Sequence, residues 1–137
     1  MPTLTRPLNM QLEITDKCNF RCRHCYHLDF DCDIHSQDIP DDQVILMAEK
    51  MVEARIFGIT VTGGEPLVRK ELVKWLVEYF KKCDVDVSLN TNLLLLDQAT
   101  LDHLMTNRLN HMLISCPSTD PELYNFMTGG GNLTRFF

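Results

Sequence analysis

Three cysteines lie close together near the start of this 137-residue chain, at Cys18, Cys22 and Cys25. Thiolates are the soft ligands that iron–sulfur clusters require, and ligands close in sequence allow one loop to hold three corners of a compact cluster. Three ligands leave one iron open, and an open metal position is typical of a site that binds a further molecule rather than one that only stabilises a fold. The spacing therefore predicts a [4Fe-4S] cluster with one open iron.

The spacing alone leaves other uses of these thiols open. A zinc site that adds His24 or His27 is a poorer match, because zinc-binding sequences usually contain paired Cys-x2-Cys units. A closed electron-transfer cluster with Cys32 as the fourth ligand is a further alternative. Disulfides are disfavoured, because three of the six cysteines crowd into one short loop of a chain that otherwise has the pattern of a core-forming α/β protein.

A second group of residues that could bind a ligand is the sequence Gly63-Gly64-Glu65-Pro66, which follows an apolar, β-branched segment. Two glycines allow the backbone to approach a ligand closely. Glu65 would then place a carboxylate at the mouth of a site. A glycine turn with a solvated glutamate is the ordinary alternative. The interpretation as a binding site is therefore supported only by the position of these residues relative to the cysteines.

Alternating apolar runs and amphipathic segments must position these groups, and that alternation predicts a parallel sheet with crossover helices. The predicted strands are Leu8–Thr15, Ile59–Thr62, Val85–Leu89 and Leu109–Ser115. The predicted helices are Asp41–Phe57, capped by Asp41 and ended by Gly58, then Lys70–Lys82 and Asp97–Asn107. Both polar groups follow strands, where the carboxyl ends of α/β folds place their sites. The fold class is therefore α/β, with about four βα units.

The chain is long enough for one core, so we expect residues 1–137 to form a single domain. After a short helical turn at Asp120–Met127, the glycines 129–131 are expected to break the chain just where a fourth long helix would begin. This predicts an uncovered strand edge. Either the chain is part of a longer protein, or Leu133, Phe136 and Phe137 or an oligomer cover that edge.

The net charge of the chain limits the classes of partner that it is expected to bind. A net charge of -6 and a pI near 5.2 argue against nucleic-acid and anionic-membrane surfaces, which need clustered Lys and Arg. No apolar run reaches the roughly 20 residues of a membrane helix, and the N-terminus lacks the apolar stretch of a secretory signal. We expect a soluble, cytoplasmic protein with neither a nucleic-acid nor a membrane partner.

The pattern Cys18-x3-Cys22-x2-Cys25 resembles the signature loop of the radical S-adenosylmethionine (SAM) superfamily. Within it, residues 18–26 are most similar to the branch of peptide and protein maturases that includes the anaerobic sulfatase maturases and the SPASM-type enzymes. The resemblance implies a partial (β/α) barrel that carries a [4Fe-4S] cluster and SAM. It also implies reductive cleavage of SAM to a 5'-deoxyadenosyl radical, a peptide or protein substrate, and a low-potential electron donor such as flavodoxin or ferredoxin.

Further motifs carry the same resemblance. The Gly63-Gly64-Glu65 segment is similar to the family motif that holds the amino group of SAM, and residues 88–92 resemble a Thr-Asn-Gly segment, with Leu93 in the place of the glycine. Residues 114–118 resemble Ile-Ser-x-Asp-Gly, with Pro117 and Ser118 in place of Asp-Gly. The implied SAM-binding residues are Gly63, Gly64, Glu65, Asn90, Asn92 and Ser115. No catalytic residue is assigned, and Cys116 is predicted to be a small core residue.

Overall fold

The computed structural model describes residues 7–26 and 38–135. The predictions that concern His27, Cys32, Phe136 and Phe137 lie outside these residues. Within the described part no helix is long and apolar enough to cross a membrane.

The strands form one parallel sheet, as predicted, and their order in it is β1-β2-β3-β4. They are β1 at Asn9–Glu13, β2 at Gly58–Thr62, β3 at Asp86–Thr91 and β4 at His111–Ile114. The helices between and after them are α1 at Asp41–Glu53, α2 at Lys70–Lys82, α3 at Gln98–Thr106 and α4 at Pro121–Thr128. Two 3-10 turns lie at Pro66–Arg69 and Leu133–Arg135. Because all the strand pairs are parallel, the carboxyl ends of the four strands lie at one edge of the sheet.

The limits of the first helix differ from the prediction. α1 ends at Glu53 because Arg55 adopts the left-handed conformation, with φ 54°, and Gly58 is the first residue of β2 rather than a helix stop. Pro40 is the N-cap residue, so Asp41 is the first helical residue and does not cap with its side chain. The α2 prediction is confirmed at both ends, because its apolar residues recur at helical spacing throughout.

One face of the sheet is apolar and carries the helices. Leu12, Val61 and Leu89 lie side by side in the strand register, and each is almost fully buried. α2 packs its apolar stripe onto this face and buries Leu72, Val73, Leu76, Val77 and Phe80. Burial of each such large side chain stabilises the fold by about 1.5–3 kcal/mol. We call the buried residues between the sheet and α1, α2 and α3 the main core.

The opposite face of the sheet is polar. Gln11, Thr60 and Ser88 lie in one row across β1, β2 and β3, and none of them is fully buried. β4 ends the sheet within the described residues, and its Leu113 and Ile114 are 64% and 42% exposed. This agrees with the expected uncovered edge and leaves the polar face open next to the strand ends.

Candidate cofactor site

A cavity of about 420 Å³ opens at the carboxyl ends of the strands. This volume is within the range that holds cofactors and small ligands. The residues predicted to form the site all line it: Cys18, Cys22, Cys25, Gly63, Gly64, Glu65, Asn90, Asn92 and Ser115. Residues from four separate loops, predicted one at a time from sequence, therefore meet around one space.

The three cysteines are free thiols, and each is half-buried at the wall of the cavity. Burial raises the pKa of the Cys18 thiol, and burial together with the neighbouring thiols raises the pKa of Cys22 to about 11. Thiolates this close together need positive charge to be stable, which iron ions supply. The donor set therefore suits an iron–sulfur cluster.

The described residues include no group of three His, Cys, Asp or Glu side chains that could hold a single metal ion. A [4Fe-4S] cluster does not need such convergence, because each of its cysteines binds a different iron. Three thiols that each face the cavity therefore fit the cluster.

Gly63 and Gly64 allow a close approach, but the group they approach is the chain that leads into the cysteine loop. A Cβ on Gly63, whose φ is 142°, would lie 2.4 Å from the carbonyl oxygen of Thr15, and one on Gly64 would lie 2.3 Å from that of Lys17. The Gly64 amide donates to the Thr15 carbonyl at 2.7 Å, and the Glu65 amide donates to the Lys17 carbonyl at 2.8 Å. The glycines thus fix the start of the cysteine loop against the end of β2.

Glu65 is only 1% exposed, so its carboxylate lies in the floor of the cavity rather than in an open mouth. Its Oε1 accepts hydrogen bonds from the Leu67 amide at 2.9 Å and the Thr91 hydroxyl at 2.8 Å, and its Oε2 accepts one from the Asn92 amide at 2.8 Å. Burial raises the pKa of Glu65, and these hydrogen bonds offset only part of that rise. A carboxylate offers about four acceptor positions, so one remains on Oε2.

Asn92 links β3 to the cysteine loop. Its side-chain amide donates to Asn19 Oδ1 at 2.9 Å, and its Oδ1 accepts from the Leu94 amide at 3.0 Å. The next residue, Leu93, has φ 63°, which is the left-handed conformation that glycine adopts most easily. The backbone therefore keeps the conformation expected of a glycine at this position. Asn90, in contrast, is half-buried at the cavity wall.

Ser115 follows β4 and is exposed, and its amide donates to the Thr91 carbonyl at 3.0 Å. The prediction that Cys116 belongs to the core is wrong. Cys116 is exposed, because β4 ends at Ile114 and the chain has already left the sheet. Its Sγ donates to the Ser118 carbonyl at 3.4 Å.

Several residues that line the cavity were not predicted from the sequence, among them Gln11, Glu13, Tyr26 and Thr62. The Tyr26 hydroxyl donates to Glu13 Oε1 at 3.2 Å. Burial raises the pKa of Tyr26, and the nearby Glu13 carboxylate adds to the rise. Strand alternation would have found Gln11 and Glu13, because polar residues at every second position of β1 must share the open face.

The family model described as the Radical SAM superfamily matches residues 12–137. GTP 3',8-cyclase of Peptoclostridium acidaminophilum is 33% identical over 129 residues, which are 92% of this chain and 39% of that protein. The probable GTP 3',8-cyclase of Methanococcus maripaludis (strain C6) is 32% identical over 126 residues, 91% of this chain and 41% of that protein. The chain thus spans about two-fifths of the length of these curated relatives.

Solved structures share the fold. The crystal structure of Streptococcus suis SuiB bound to S-adenosylmethionine matches with a TM-score of 0.76 at 16% identity, covering 92% of this chain and 29% of that one. The structure of BtrN in complex with AdoMet and 2-DOIA matches with a TM-score of 0.67 at 18% identity, covering 83% and 46%. At these identities the likeness shows the fold alone. It confirms the predicted partial barrel.

Proposed function

The chain belongs to the radical SAM superfamily, and from this membership we propose that it forms the cluster- and SAM-binding part of an enzyme that cleaves SAM reductively. The observation that carries the proposal is the single cavity in which the three cysteine thiols, the Gly63–Glu65 turn and the polar ends of β3 and β4 meet. When bound, the family's cofactors, a [4Fe-4S] cluster and SAM, supply a 5'-deoxyadenosyl radical that removes hydrogen from a substrate.

Cys18, Cys22 and Cys25 are proposed to hold the cluster and to leave one iron facing the cavity. This is supported by their position at the cavity wall and by their partial burial, which limits the access of water. The remaining iron would bind the amino and carboxylate groups of SAM.

Glu65 is proposed to accept a hydrogen bond from the amino group of SAM through the one free acceptor position on Oε2. An ionised carboxylate that accepts from an N–H of this amino group forms a charge-assisted hydrogen bond. Gly63 and Gly64 would bring backbone groups beside it, and Asn90 and Ser115 offer polar groups for the ribose or carboxylate. Asn92 is proposed to contact SAM through the second hydrogen of its side-chain amide, because the first is donated to Asn19.

For the substrate we propose a peptide or protein side chain, and the motivation is the sequence of residues 18–26. One structural relative, SuiB, has been crystallised bound to the precursor peptide SuiA. Mass spectrometry of candidate peptides that are co-expressed with the protein tests this proposal. A new mass on the peptide supports it, whereas unmodified peptides together with turnover of a small metabolite contradict it.

A second candidate substrate is GTP, which the identity to the GTP 3',8-cyclases favours. The test is anaerobic incubation of the cluster-loaded protein with SAM, dithionite and GTP. Conversion of GTP that depends on all three additions would support this candidate over the peptide. The electron donor is proposed to be a flavodoxin or ferredoxin, and a second copy of the chain is proposed to cover the β4 edge.

The alternative function is a closed electron-transfer or binding module in which Cys32 is the fourth cluster ligand. Cys32→Ala separates the two functions. An unchanged cluster in this variant supports the open site, and loss of the cluster supports the closed module.

The main experiment is anaerobic reconstitution with iron and sulfide, followed by electron paramagnetic resonance (EPR) of the dithionite-reduced protein with and without SAM. A cluster signal that changes when SAM is added supports the proposed function. A cluster that ignores SAM, or a protein that takes up zinc and no iron, contradicts it. Glu65→Gln should keep the cluster and weaken the SAM-induced change, and Glu71→Gln, on the exposed face of α2, is the matched control.

A further inference from the structure

The chain that follows β4 contacts the cysteine loop directly. The backbone amide of Arg21 donates to the carbonyl of Thr128 at 3.1 Å, and the amide of Arg23 donates to the carbonyl of Met127 at 2.8 Å. These two hydrogen bonds join the middle of the cysteine loop to the last turn of α4. The loop is therefore held by a segment more than a hundred residues away in the sequence.

Arg23 adds a second contact to the same helix. Its Nε donates to the Phe126 carbonyl at 3.1 Å, and its guanidinium carbon lies 4.1 Å from the centre of the Phe126 ring. Cation–π pairs of this kind contribute about 0.5–1 kcal/mol at exposed sites. The side chain of Arg23 therefore reinforces the hydrogen bond that its backbone makes.

The glycines after α4 make this approach possible, and they do not simply break the chain. Gly129 ends α4 in the left-handed conformation, with φ 69°, and a Cβ there would lie 2.5 Å from the Arg21 carbonyl oxygen. A Cβ on Gly131 would lie 2.8 Å from the Tyr124 ring and 3.0 Å from the Phe20 ring. In contrast, a Cβ on Gly130 would meet no described atom within 4 Å, but Gly130 has φ 120°, so a side chain there strains the backbone without touching the cysteine loop.

A small apolar group lies beneath the cysteine loop, and we call it the loop-side core. It consists of Phe20, Tyr124 and Leu133, all buried, with the Phe20 and Tyr124 rings packed edge to face at 6.5 Å. Cys18 and Cys22 pack against this group. Two of the three proposed cluster ligands thus pack against a group to which the segment after β4 contributes two of the three residues.

We propose that α4 and the glycines 129–131 act as a brace that positions the cysteine loop for its cluster, with Gly131 and Arg23 as the positioning residues. This inference rests on the proposed role of the three cysteines. The Phe20 amide donates to the Cys18 Sγ at 3.4 Å, whereas the amides of Arg21 and Arg23 are bonded to carbonyls of the brace. Hydrogen bonds to cluster sulfurs raise the reduction potential. By engaging two amides, the brace also keeps that potential low.

The first test compares Gly131→Ala, whose methyl group would press on the Tyr124 and Phe20 rings, with Gly130→Ala, whose methyl group meets nothing but strains the backbone at φ 120°. Gly130→Ala therefore controls for strain in the segment that is not transmitted to the cysteine loop. Both variants are reconstituted, and their iron and sulfide content, reduced EPR spectrum and midpoint potential are measured. We expect Gly131→Ala to hold less cluster than Gly130→Ala, and the cluster that remains to have an altered EPR spectrum and a more positive midpoint potential. Equal cluster content with the same spectrum and potential in both variants would overturn the proposal.

Arg23→Ala covers the case in which Gly131→Ala does not fold, because Arg23 is exposed and its loss leaves every buried contact in place. Lys50→Ala, which removes an exposed cation on α1, is its control. We expect a shifted EPR spectrum in Arg23→Ala only. The EPR spectrum is the readout here, because loss of the Arg23 cation lowers the midpoint potential while release of the loop amides raises it. A wild-type EPR spectrum in Arg23→Ala would contradict the role of this residue.

Hydrogen exchange of the cluster-free protein tests the brace independently of the proposed function, because it does not require a bound cluster. The brace predicts that the amides of Arg21 and Arg23 exchange slowly in the wild type and faster in Arg23→Ala. If both amides exchange at the rate of an open loop in the wild type, the brace is wrong. If they are protected but no cluster forms, the brace stands and the proposed function fails.

Discussion

The main core and the loop-side core stabilise two different parts of the molecule in different ways. The main core contains residues from three strands and three helices that follow one another in the chain. The loop-side core has three buried residues, which come from positions 20, 124 and 133. The main core is therefore built from many buried residues in elements that follow one another along the chain, whereas the loop-side core is built from few, which come from opposite ends of the described chain. Local opening starts where buried contacts are fewest, so we expect the loop to open before the sheet does.

The largest effect is expected from breaking the main core. Phe80→Ala should lower the free energy of unfolding by about 3–5 kcal/mol, because the ring is fully buried and its removal leaves a cavity. Denaturant unfolding measures this loss, and Phe57→Ala is the control, since Phe57 is 65% exposed. Equal losses in the two variants would contradict the central place of α2 in the fold.

A smaller and local effect is expected from breaking the loop-side core. Leu133→Ala should lower the opening free energy of the amides in the cysteine loop and in α4 by about 2–3 kcal/mol, the lower part of the range for such changes, because a small group near the surface can relax. Hydrogen exchange measures it, with Leu123→Ala as the exposed control on α4. Amides of β2 and β3 should keep their protection. If they lose it as well, the two cores do not act separately.

The main core could be predicted from the sequence, whereas the loop-side core could not. Apolar periodicity was enough for the main core, and α2 was placed correctly at both ends, because a helix stripe is a local pattern. The loop-side core was not foreseen, since nothing local connects Phe20 with Tyr124. The glycines 129–131 were expected to break the chain, but they pack against the cysteine loop.

The candidate site was also predictable only in part. Its residues were found from motifs, and the structure places them around one cavity. Their hydrogen-bond partners were not predictable, because the Glu65 carboxylate and the Asn92 amide are bonded to groups that only the folded chain brings near. The error at Cys116 has a related cause, since an apolar pattern does not show where a strand leaves the sheet.

Glu65 connects the two regions, because it lies in the turn that follows β2 and its carboxylate accepts hydrogen bonds from the end of β3 beside the cysteine loop. Glu65→Gln should lower the free energy of unfolding by about 1–2 kcal/mol, since the Asn92 amide would be left buried opposite an NH2 group. Denaturant unfolding measures this loss, and Glu71→Gln should show almost none, because that side chain is 85% exposed.

The pH dependence of stability should also differ between the wild type and Glu65→Gln. The pKa of Glu65 is raised in the folded state, so the folded protein binds the proton more tightly than the unfolded chain does. The contribution of Glu65 is therefore fully present below its ordinary pKa of 4.5 and is lost as the pH rises through the folded-state value. Denaturant midpoints measured upward from pH 4.5 should fall more steeply in the wild type than in Glu65→Gln. Parallel curves would show that the folded-state pKa is not raised.

The smallest effect on stability is expected from a substitution after a helix. The chain adopts the left-handed conformation after α1, beside the main core, and after α4, beside the loop-side core. Arg55 has φ 54° with an exposed side chain after α1, whereas Gly129 has φ 69° with no space for a Cβ after α4. Arg55→Gly should raise the free energy of unfolding by about 0.5–1 kcal/mol, because glycine adopts this conformation without strain. Arg55→Ala keeps the Cβ and should give no gain, and denaturant unfolding compares the two. An equal gain from both would mean that the arginine side chain, rather than the backbone conformation, is the source of the strain.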